Sequence, residues 1–315
     1  MKIVYITGCL GFIGSYFTRK VLKEGWHVYG IDKCTYSSNK AYLKEFSKYD
    51  NFVFYNIDIN DLNYLNDCDF VINFAAESHV DNSINNSDSF ITSNILGVKN
   101  LLDLVKNKHD NCVERPTFVQ ISTDEVYGDI DTGFHDEEDL LKPSNPYSAA
   151  KASADMLVIA WSRTYDLNHI ILRPTNNYGI GQYPEKLIPL SIKNIYRDKK
   201  IRLHNNGTPI RTWLHVEDTA NAVYTVINSG ANNEIYNISG NHECKNIEVI
   251  KELCSYMNNT TIEECVNFNY VRRGQDVRYA IDDSKLRALG WVPTACFNEK
   301  LKEIVETANQ STFFK

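Results

Sequence analysis

Over residues 1–175, short apolar runs alternate with stretches whose apolar positions recur every three or four residues. The runs at 2–6, 27–31, 52–57, 70–74, 117–122 and 169–173 are rich in Val, Ile, Phe and Tyr, and each is mostly apolar without a polar face. A strand covered by helices on both faces has no wet side to fill with polar residues, so these runs read as buried strands of a parallel sheet. Between them, Ile13, Phe17 and Val21 follow Gly11 at spacing four, and Ile91, Ile95, Val98, Leu101, Leu102 and Val105 line one face of a helix beginning near residue 88. A third helix is predicted over 146–165. The alternation predicts an α/β fold built on a doubly wound parallel sheet.

Beyond residue 175 the regularity breaks up. Asn205-Asn206-Gly207, Asn232-Asn233 and Gly240-Asn241 mark turns between shorter segments. The expectation is a first domain over 1–175 and a smaller mixed α/β domain over 176–315, with room for later segments to return to the first sheet. A cleft between the two is the expected binding site.

The 315 residues carry 33 Lys and Arg against 40 Asp and Glu, a net charge of −7, and 43% of positions are hydrophobic. This is the composition of a folded chain without the basic field that draws in nucleic acid or an anionic bilayer, so neither is expected as a partner. No apolar run reaches the roughly 18 residues that cross a membrane, and Met1-Lys2 leads into an apolar run too short for a signal peptide. The expectation is an unexported, cytoplasmic protein. Cys9, Cys34, Cys68, Cys112, Cys244, Cys254, Cys265 and Cys296 form no CxxC pair, which points to reduced thiols. The histidines never fall in HExxH or zinc-finger spacing, and no metal site is expected.

Candidate chemistry begins directly after the first strand, at Gly8-Cys9-Leu10-Gly11-Phe12-Ile13-Gly14. Glycines there permit a tight turn and close approach of a pyrophosphate to backbone N–H groups, and the helix that follows presents its positive end. Asp32 ends the second strand about 20 residues further on, the place of an acid that binds a ribose 2′-hydroxyl and repels a 2′-phosphate, which favours NAD over NADP. Tyr147 and Lys151 form a YxxxK pair, one turn apart on one helix face. Such a phenol acts as a base when the ammonium and the positive ring of an oxidised nicotinamide ease its ionisation. Ser122-Thr123-Asp124-Glu125 would lie beyond the carboxyl end of a strand, where ligands of such sheets bind.

The glycine turn, Ser122-Thr123 and Tyr147-x-x-x-Lys151 together resemble the extended short-chain dehydrogenase/reductase superfamily. More closely, Ala75-Ala76-Glu77-Ser78-His79-Val80-Asp81, Ser122-Thr123-Asp124-Glu125-Val126-Tyr127-Gly128, Asn145-Pro146-Tyr147-Ser148-Ala149-Ala150-Lys151 and Asn176-Asn177-Tyr178-Gly179 resemble nucleoside-diphosphate-glucose 4,6-dehydratases. The likeness continues through 183–189 and 278–282, over most of the chain in order.

This resemblance implies a Rossmann-type sheet with a smaller C-terminal substrate domain, a tightly held NAD and a homodimer. It implies conversion of dTDP-glucose or UDP-glucose to the 4-keto-6-deoxy sugar by oxidation at carbon 4, loss of water across carbons 5 and 6 and hydride return to carbon 6. Tyr147, assisted by Thr123 and Lys151, would be the base for the 4-hydroxyl, Glu125 the base at carbon 5, and Asp124 the acid for the departing 6-hydroxyl. Two adjacent carboxylates suit that task, because like charges at close range keep one of them protonated. Cofactor contacts implied are Gly8, Gly11, Phe12, Ile13, Gly14 and Asp32, with Asp58 and Ile59 at the adenine. Ala75, Ala76, Ser78 and Ser122 would lie by the nicotinamide and its ribose with Tyr147 and Lys151, and Asn94 would support the site. Ser78, Thr123, Asn177, Lys186, Leu187, Arg211, Asn246 and Arg278 would hold the nucleotide sugar. The implied use of the product is deoxysugar synthesis, for instance of a rhamnose type.

The chain departs from the resemblance at Arg272-Arg273-Gly274-Gln275-Asp276-Val277-Arg278, where Arg-Pro-Gly-His-Asp-Arg-Arg is commoner, and the choice between thymidine and uridine stays open. Two alternatives share the scaffold. A nucleotide-sugar 4-epimerase or UDP-glucuronate decarboxylase has no need of Asp124-Glu125, and a catalytically silent NAD-binding protein has no need of Thr123, Tyr147 and Lys151.

Overall fold

All six apolar runs form strands in the computed structural model, which describes residues 1–111, 116–257, 261–270, 272, 274 and 276–310. They are β1 (Ile3–Thr7), β2 (His27–Ile31), β3 (Phe52–Tyr55), β4 (Phe70–Asn73), β5 (Thr117–Ile121) and β6 (His169–Pro174). Further along come β7 (Asn176–Tyr178), β8 (Ile201–His204), β9 (Ile210–His215), β10 (Glu234–Ile238), β11 (His242–Lys245) and β12 (Val266–Tyr270). A seven-stranded sheet has the order β10-β6-β5-β4-β1-β2-β3, with every pairing parallel. The chain thus returns to the large sheet at β10, after the segments of the second region have begun.

Side chains of one strand alternate between two helical layers, which is why the runs are apolar at most positions on both faces. In β1, Val4 and Ile6 pack with Phe17 and Val21 of the helix Phe12–Lys23 and with Val223 and Val226 of the helix Val216–Ser229. Tyr5 faces the opposite layer, with Leu101 and Val105 of the helix Gly97–Asn111 and Val158 of the helix Pro146–Tyr165. The predicted helix from residue 88 is interrupted. It runs as Asp88–Ile91, a π turn at Thr92–Leu96, and then Gly97–Asn111. A Cβ on Gly97 would sit 2.4 Å from Ile59, so glycine there lets this helix approach the loop after β3.

The smaller part has its own core. Ile188, Ile192, Leu203, Trp213, Val249, Leu253 and Leu301 gather between the three-stranded sheet β11-β9-β7, the pair β12-β8 and their helices. Among the described residues no helix is long and apolar enough to cross a membrane. The described cysteines are free thiols, and Cys112 lies outside the described residues.

Candidate active site

The strand order reverses direction about β1, which has β4 on one side and β2 on the other. Loops leaving the carboxyl ends of these strands diverge there and open a crevice. Gly8 leaves β1 with φ +66, and its N–H donates to the Ile31 carbonyl at 2.8 Å. Gly11 caps the first helix without a side-chain hydrogen bond, so the first turn keeps N–H groups available to an anion. A Cβ on Gly14 would lie 2.2 Å from the Gly8 carbonyl oxygen, and one on Gly8 would lie 2.8 Å from the Ala75 nitrogen. These glycines form a cradle that any side chain would fill.

The cradle opens onto a solvent-open cleft of about 560 Å³, walled by Gly8, Gly11, Asp32, Asp58, Ile59, Ala75 and Ala76. Asp32 is held in place there. Its carboxylate accepts from the N–H groups of Leu10 (3.0 Å) and Cys34 (2.8 Å) and from the Ser38 hydroxyl (2.8 Å). Asp58 pairs with Lys33 at 3.2 Å; burial pushes its carboxyl up, but bonds from Asn60 and the Lys33 charge outweigh this and leave it lowered. Backbone cradle, helix terminus and acidic ribose-side wall fit an NAD-type dinucleotide. Asn94 lies outside the wall: it accepts from the Glu77 N–H and donates to the Glu77 carbonyl, both at 2.9 Å, tying down the loop that carries Ala75 and Ala76.

Continuous with this cleft is a larger space of about 1160 Å³, lined by Phe12, Ile13, Gly14, Ser78, Ser122, Thr123, Asp124, Glu125, Tyr147 and Lys151. Two local motifs bring the reactive groups together. Asn145 caps the helix Pro146–Tyr165 in a reciprocal capping box with Ser148, which sets the first turn carrying Tyr147 and, four residues on, Lys151. Thr123, at the end of β5, accepts from the Glu125 N–H at 3.3 Å and donates to Asp124 at 3.2 Å, winding the carboxylate pair into a short 3-10 turn.

Burial pushes the Asp124 carboxyl up to about 7, helped by the charge of Glu125. Burial also raises Glu125, and there Arg211, Lys186 and the Asn145 amide push back. Burial thus disfavours the charged form of both acids, and at about 7 Asp124 can hold a proton near neutrality. Burial raises the Tyr147 phenol as well, and the charge of Glu125 adds to it, against a hydrogen bond with Thr123. This differs from the lowered phenol expected of a YxxxK pair. Lys151 is anchored to the strand end instead, donating to the Ile121 carbonyl at 2.6 Å, and burial lowers it to about 8 against the pull of Asp155. A further positive charge by the ring, or neutralisation of a carboxylate, would bring the phenol down.

At its far end the cleft passes Ser78, Glu125 and Lys186 into a third space of about 990 Å³, walled also by Leu187, Arg202, Arg211, Asn246 and Arg272. Lys186 donates to the Ser78 carbonyl at 2.5 Å. Arg211 stacks over the Tyr279 ring at 4.2 Å and donates to the carbonyls of Ile210 (2.6 Å) and Asp276 (3.0 Å). Asn177 lines the central space, with its amide oxygen taken by Thr219 at 2.5 Å. Arg278 stands outside these walls, forked onto Glu243 at 3.0 and 3.1 Å. Arg273 and Gln275, two of the departures from the family pattern, lie outside the described residues.

Several wall residues escaped the sequence reading. Tyr279 and Asn145 donate to Glu125 at 3.4 and 3.5 Å, and Glu185 lines both the central and the far space. Arg202 and Arg272 carried no spacing signal toward the site. Asp155 did carry one, since it falls on the Tyr147–Lys151 face one turn later.

A family model described as GDP-mannose 4,6 dehydratase matches residues 5–304. The dTDP-glucose 4,6-dehydratase of Haemophilus influenzae is 40% identical over 329 residues, covering 97% of each chain. Among solved structures, a double mutant of DesIV, a dTDP-glucose 4,6-dehydratase of Streptomyces venezuelae with NAD bound, superposes with a TM-score of 0.93 at 33% identity, over 100% of this chain and 98% of that one. The UDP-glucuronic acid 4-epimerase of Bacillus cereus, with UDP-glucuronic acid and NAD, reaches 0.90 at 26% identity, over 98% and 99%.

Proposed function

The chain belongs to the family described as GDP-mannose 4,6 dehydratase, and from that premise we propose that it is an NAD-dependent hydro-lyase converting a nucleoside-diphosphate-glucose to the 4-keto-6-deoxy sugar. The observation that carries this reading is the buried pair Asp124 and Glu125 in one space with Tyr147, Lys151 and the glycine cradle. Oxidation and re-reduction at carbon 4, as in an epimerase, need only the phenol. Eliminating water needs a second base and an acid, and the pair supplies both.

NAD, when bound against Gly8, Gly11, Gly14 and Asp32, supplies the uptake and return of hydride. Tyr147 takes the proton of the sugar 4-hydroxyl, with Thr123 beside it. The resulting 4-ketone acidifies the hydrogen on carbon 5, which Glu125 removes. Asp124, protonated near neutrality, gives its proton to the 6-hydroxyl, which leaves as water, and as hydride returns to carbon 6 the Glu125 carboxyl returns its proton to carbon 5. Lys186 and Arg211 neutralise the diphosphate and also oppose the rise that burial imposes on Glu125. The nucleobase is dTDP- or UDP-borne, and the product feeds deoxysugar synthesis.

The exposed Ile91, Leu96 and Met156 on the helices Asp88–Ile91 and Pro146–Tyr165 and the π turn between residues 92 and 96 support pairing of two copies. The free thiols support a reducing, cytoplasmic setting. Mass spectrometry of the purified protein incubated with dTDP-glucose, UDP-glucose or UDP-glucuronate tests the reading. Loss of one water from a nucleotide glucose supports it and names the base by preference; unchanged mass on every glucose donor overturns it.

A further inference from the structure

Beside Glu125, in the wall of the far space, lies a buried phenol that the steps above do not use. Tyr279 is 3% exposed. The segment that carries it is pinned through its backbone: the Ile210 N–H donates to the Val277 carbonyl at 2.7 Å, the Ile130 N–H to the Arg278 carbonyl at 3.2 Å and the His135 N–H to the Ala280 carbonyl at 3.0 Å. The ring itself lies under the Arg211 guanidinium at 4.2 Å. In a ring so fixed, the hydroxyl hydrogen turns far more easily than the oxygen moves.

That oxygen stands between two carboxyl groups. Tyr279 Oη reaches Glu125 Oε2 at 3.4 Å and makes a shorter hydrogen bond to Asp276 Oδ2, which also accepts from the Ser144 hydroxyl. Burial pushes the phenol far up, so it keeps its proton. With one proton it serves one carboxyl at a time, and as the site stands that proton lies toward Asp276, the shorter contact. On Glu125, both Tyr279 and the Asn145 amide, at 3.5 Å, meet Oε2, and among the described residues nothing bonds Oε1. Oε1 is thus the oxygen left for the hydrogen on carbon 5.

We propose that Tyr279 is a positioning residue for the base at carbon 5, its hydroxyl donating to Glu125 Oε2 while that group is a carboxylate and turning back to Asp276 once Oε1 carries the proton taken from carbon 5. No proton leaves the phenol. The carbon 5 proton travels to Oε1 and back, and the phenol changes only which oxygen it serves. A donor on Oε2 favours the charged form that burial disfavours, and a neutral carboxyl no longer competes with Asp276 for it. The proposal rests on the dehydratase reading.

Tyr279→Phe removes the hydroxyl and keeps the ring under Arg211. In this variant kcat should fall about tenfold or more, with KM for the nucleotide glucose within about twofold of the parent. Two signals place the loss at carbon 5. During turnover a larger share of the bound cofactor stands reduced than in the parent, read by absorbance, and deuterium at carbon 5 of the nucleotide glucose slows the variant more than it slows the parent. A loss of packing alone would slow oxidation at carbon 4 as well and would move neither signal. Parent-like kcat in Tyr279→Phe overturns the proposal, as does a fall in kcat with neither signal. A raised KM at parent kcat also overturns it, marking a residue that only holds the sugar nucleotide. If Tyr279→Phe does not fold, Asp276→Leu with Ser144→Ala takes away the phenol's second acceptor and the hydroxyl that shares it, and is judged by the same two signals. A parent that releases no water from any nucleotide glucose sinks the dehydratase reading and this proposal with it. Water release by the parent beside a parent-like Tyr279→Phe sinks this proposal alone.

Discussion

At one end of the cleft, beside the acidic wall of Asp32 and Asp58, the groups that face a ligand are largely backbone: the Gly8–Gly14 turn, the first helical N–H groups and the loop at Ala75 and Ala76. At the other end they are long cationic side chains, Lys186, Arg202, Arg211 and Arg272, brought from four separate stretches of chain. A backbone site tolerates no added atoms, whereas a side-chain site tolerates substitution at the expense of affinity. The acid–base residues sit where the two meet, and Glu125 belongs to both spaces.

The sharpest way to probe the junction is Glu125→Gln. Turnover should fall by about 10²–10⁴-fold, with oxidation at carbon 4 still occurring, so absorbance near the reduced-nicotinamide band should build up on mixing with nucleotide glucose. An epimerase would barely respond. At the backbone end, Gly14→Ala drives a Cβ into the Gly8 carbonyl, which cannot yield as a flexible side chain would. The variant should lose copurifying NAD, read by mass spectrometry of the denatured protein, and overpacking should cost about 1–3 kcal/mol in denaturant unfolding. Retention of NAD by Gly14→Ala would erase the contrast between the ends. At the side-chain end, Arg211→Met should raise KM for the nucleotide glucose by about tenfold or more, with NAD content untouched. Arg278→Ala, whose guanidinium is forked onto Glu243 instead, should change KM by less than about threefold in the same assay.

The smallest effect is one of pH. Asp124 donates only when protonated, and its carboxyl is pushed up to about 7. Product formation should therefore decline as pH rises through about 7, and Asp124→Asn should flatten that limb as well as slow the reaction. A limb that persists unchanged in Asp124→Asn would assign it to another group.

Legibility follows the same divide. The strands were readable because burial on both faces leaves few polar positions, and the glycine turn because its close contacts leave no room for a side chain. Tyr147 with Lys151 and Thr123 with its acids were readable because each set is local, spaced by one helical or 3-10 turn. What was not readable depends on distant parts of the chain. Tyr279 reaches Glu125 across 154 residues, and Arg278, quoted within a motif that resembles the family's, turns to Glu243. The raised Tyr147 phenol was also hidden, because burial and carboxylate charge are properties of the assembled cleft. The return of β10 to the large sheet had no local sign, since Glu234–Ile238 differs little in pattern from the short strands around it.

The π turn at Thr92–Leu96 has a consequence for how this chain tolerates change in length. One residue added to an α-helix rotates everything after it by about 100°. A π turn takes up such an extra residue within a single wider loop of the spiral. Upstream, Phe90 is packed against Tyr147 and Ala150; downstream, Val98, Leu101, Leu102 and Val105 are aimed at the sheet. The axis thus carries two angular settings with a dislocation between them, and the single apolar stripe legible from 91 to 105 conceals it. Deleting one residue at the dislocation would bring the two halves into phase as an ordinary helix, and only one of the two faces could then keep its target.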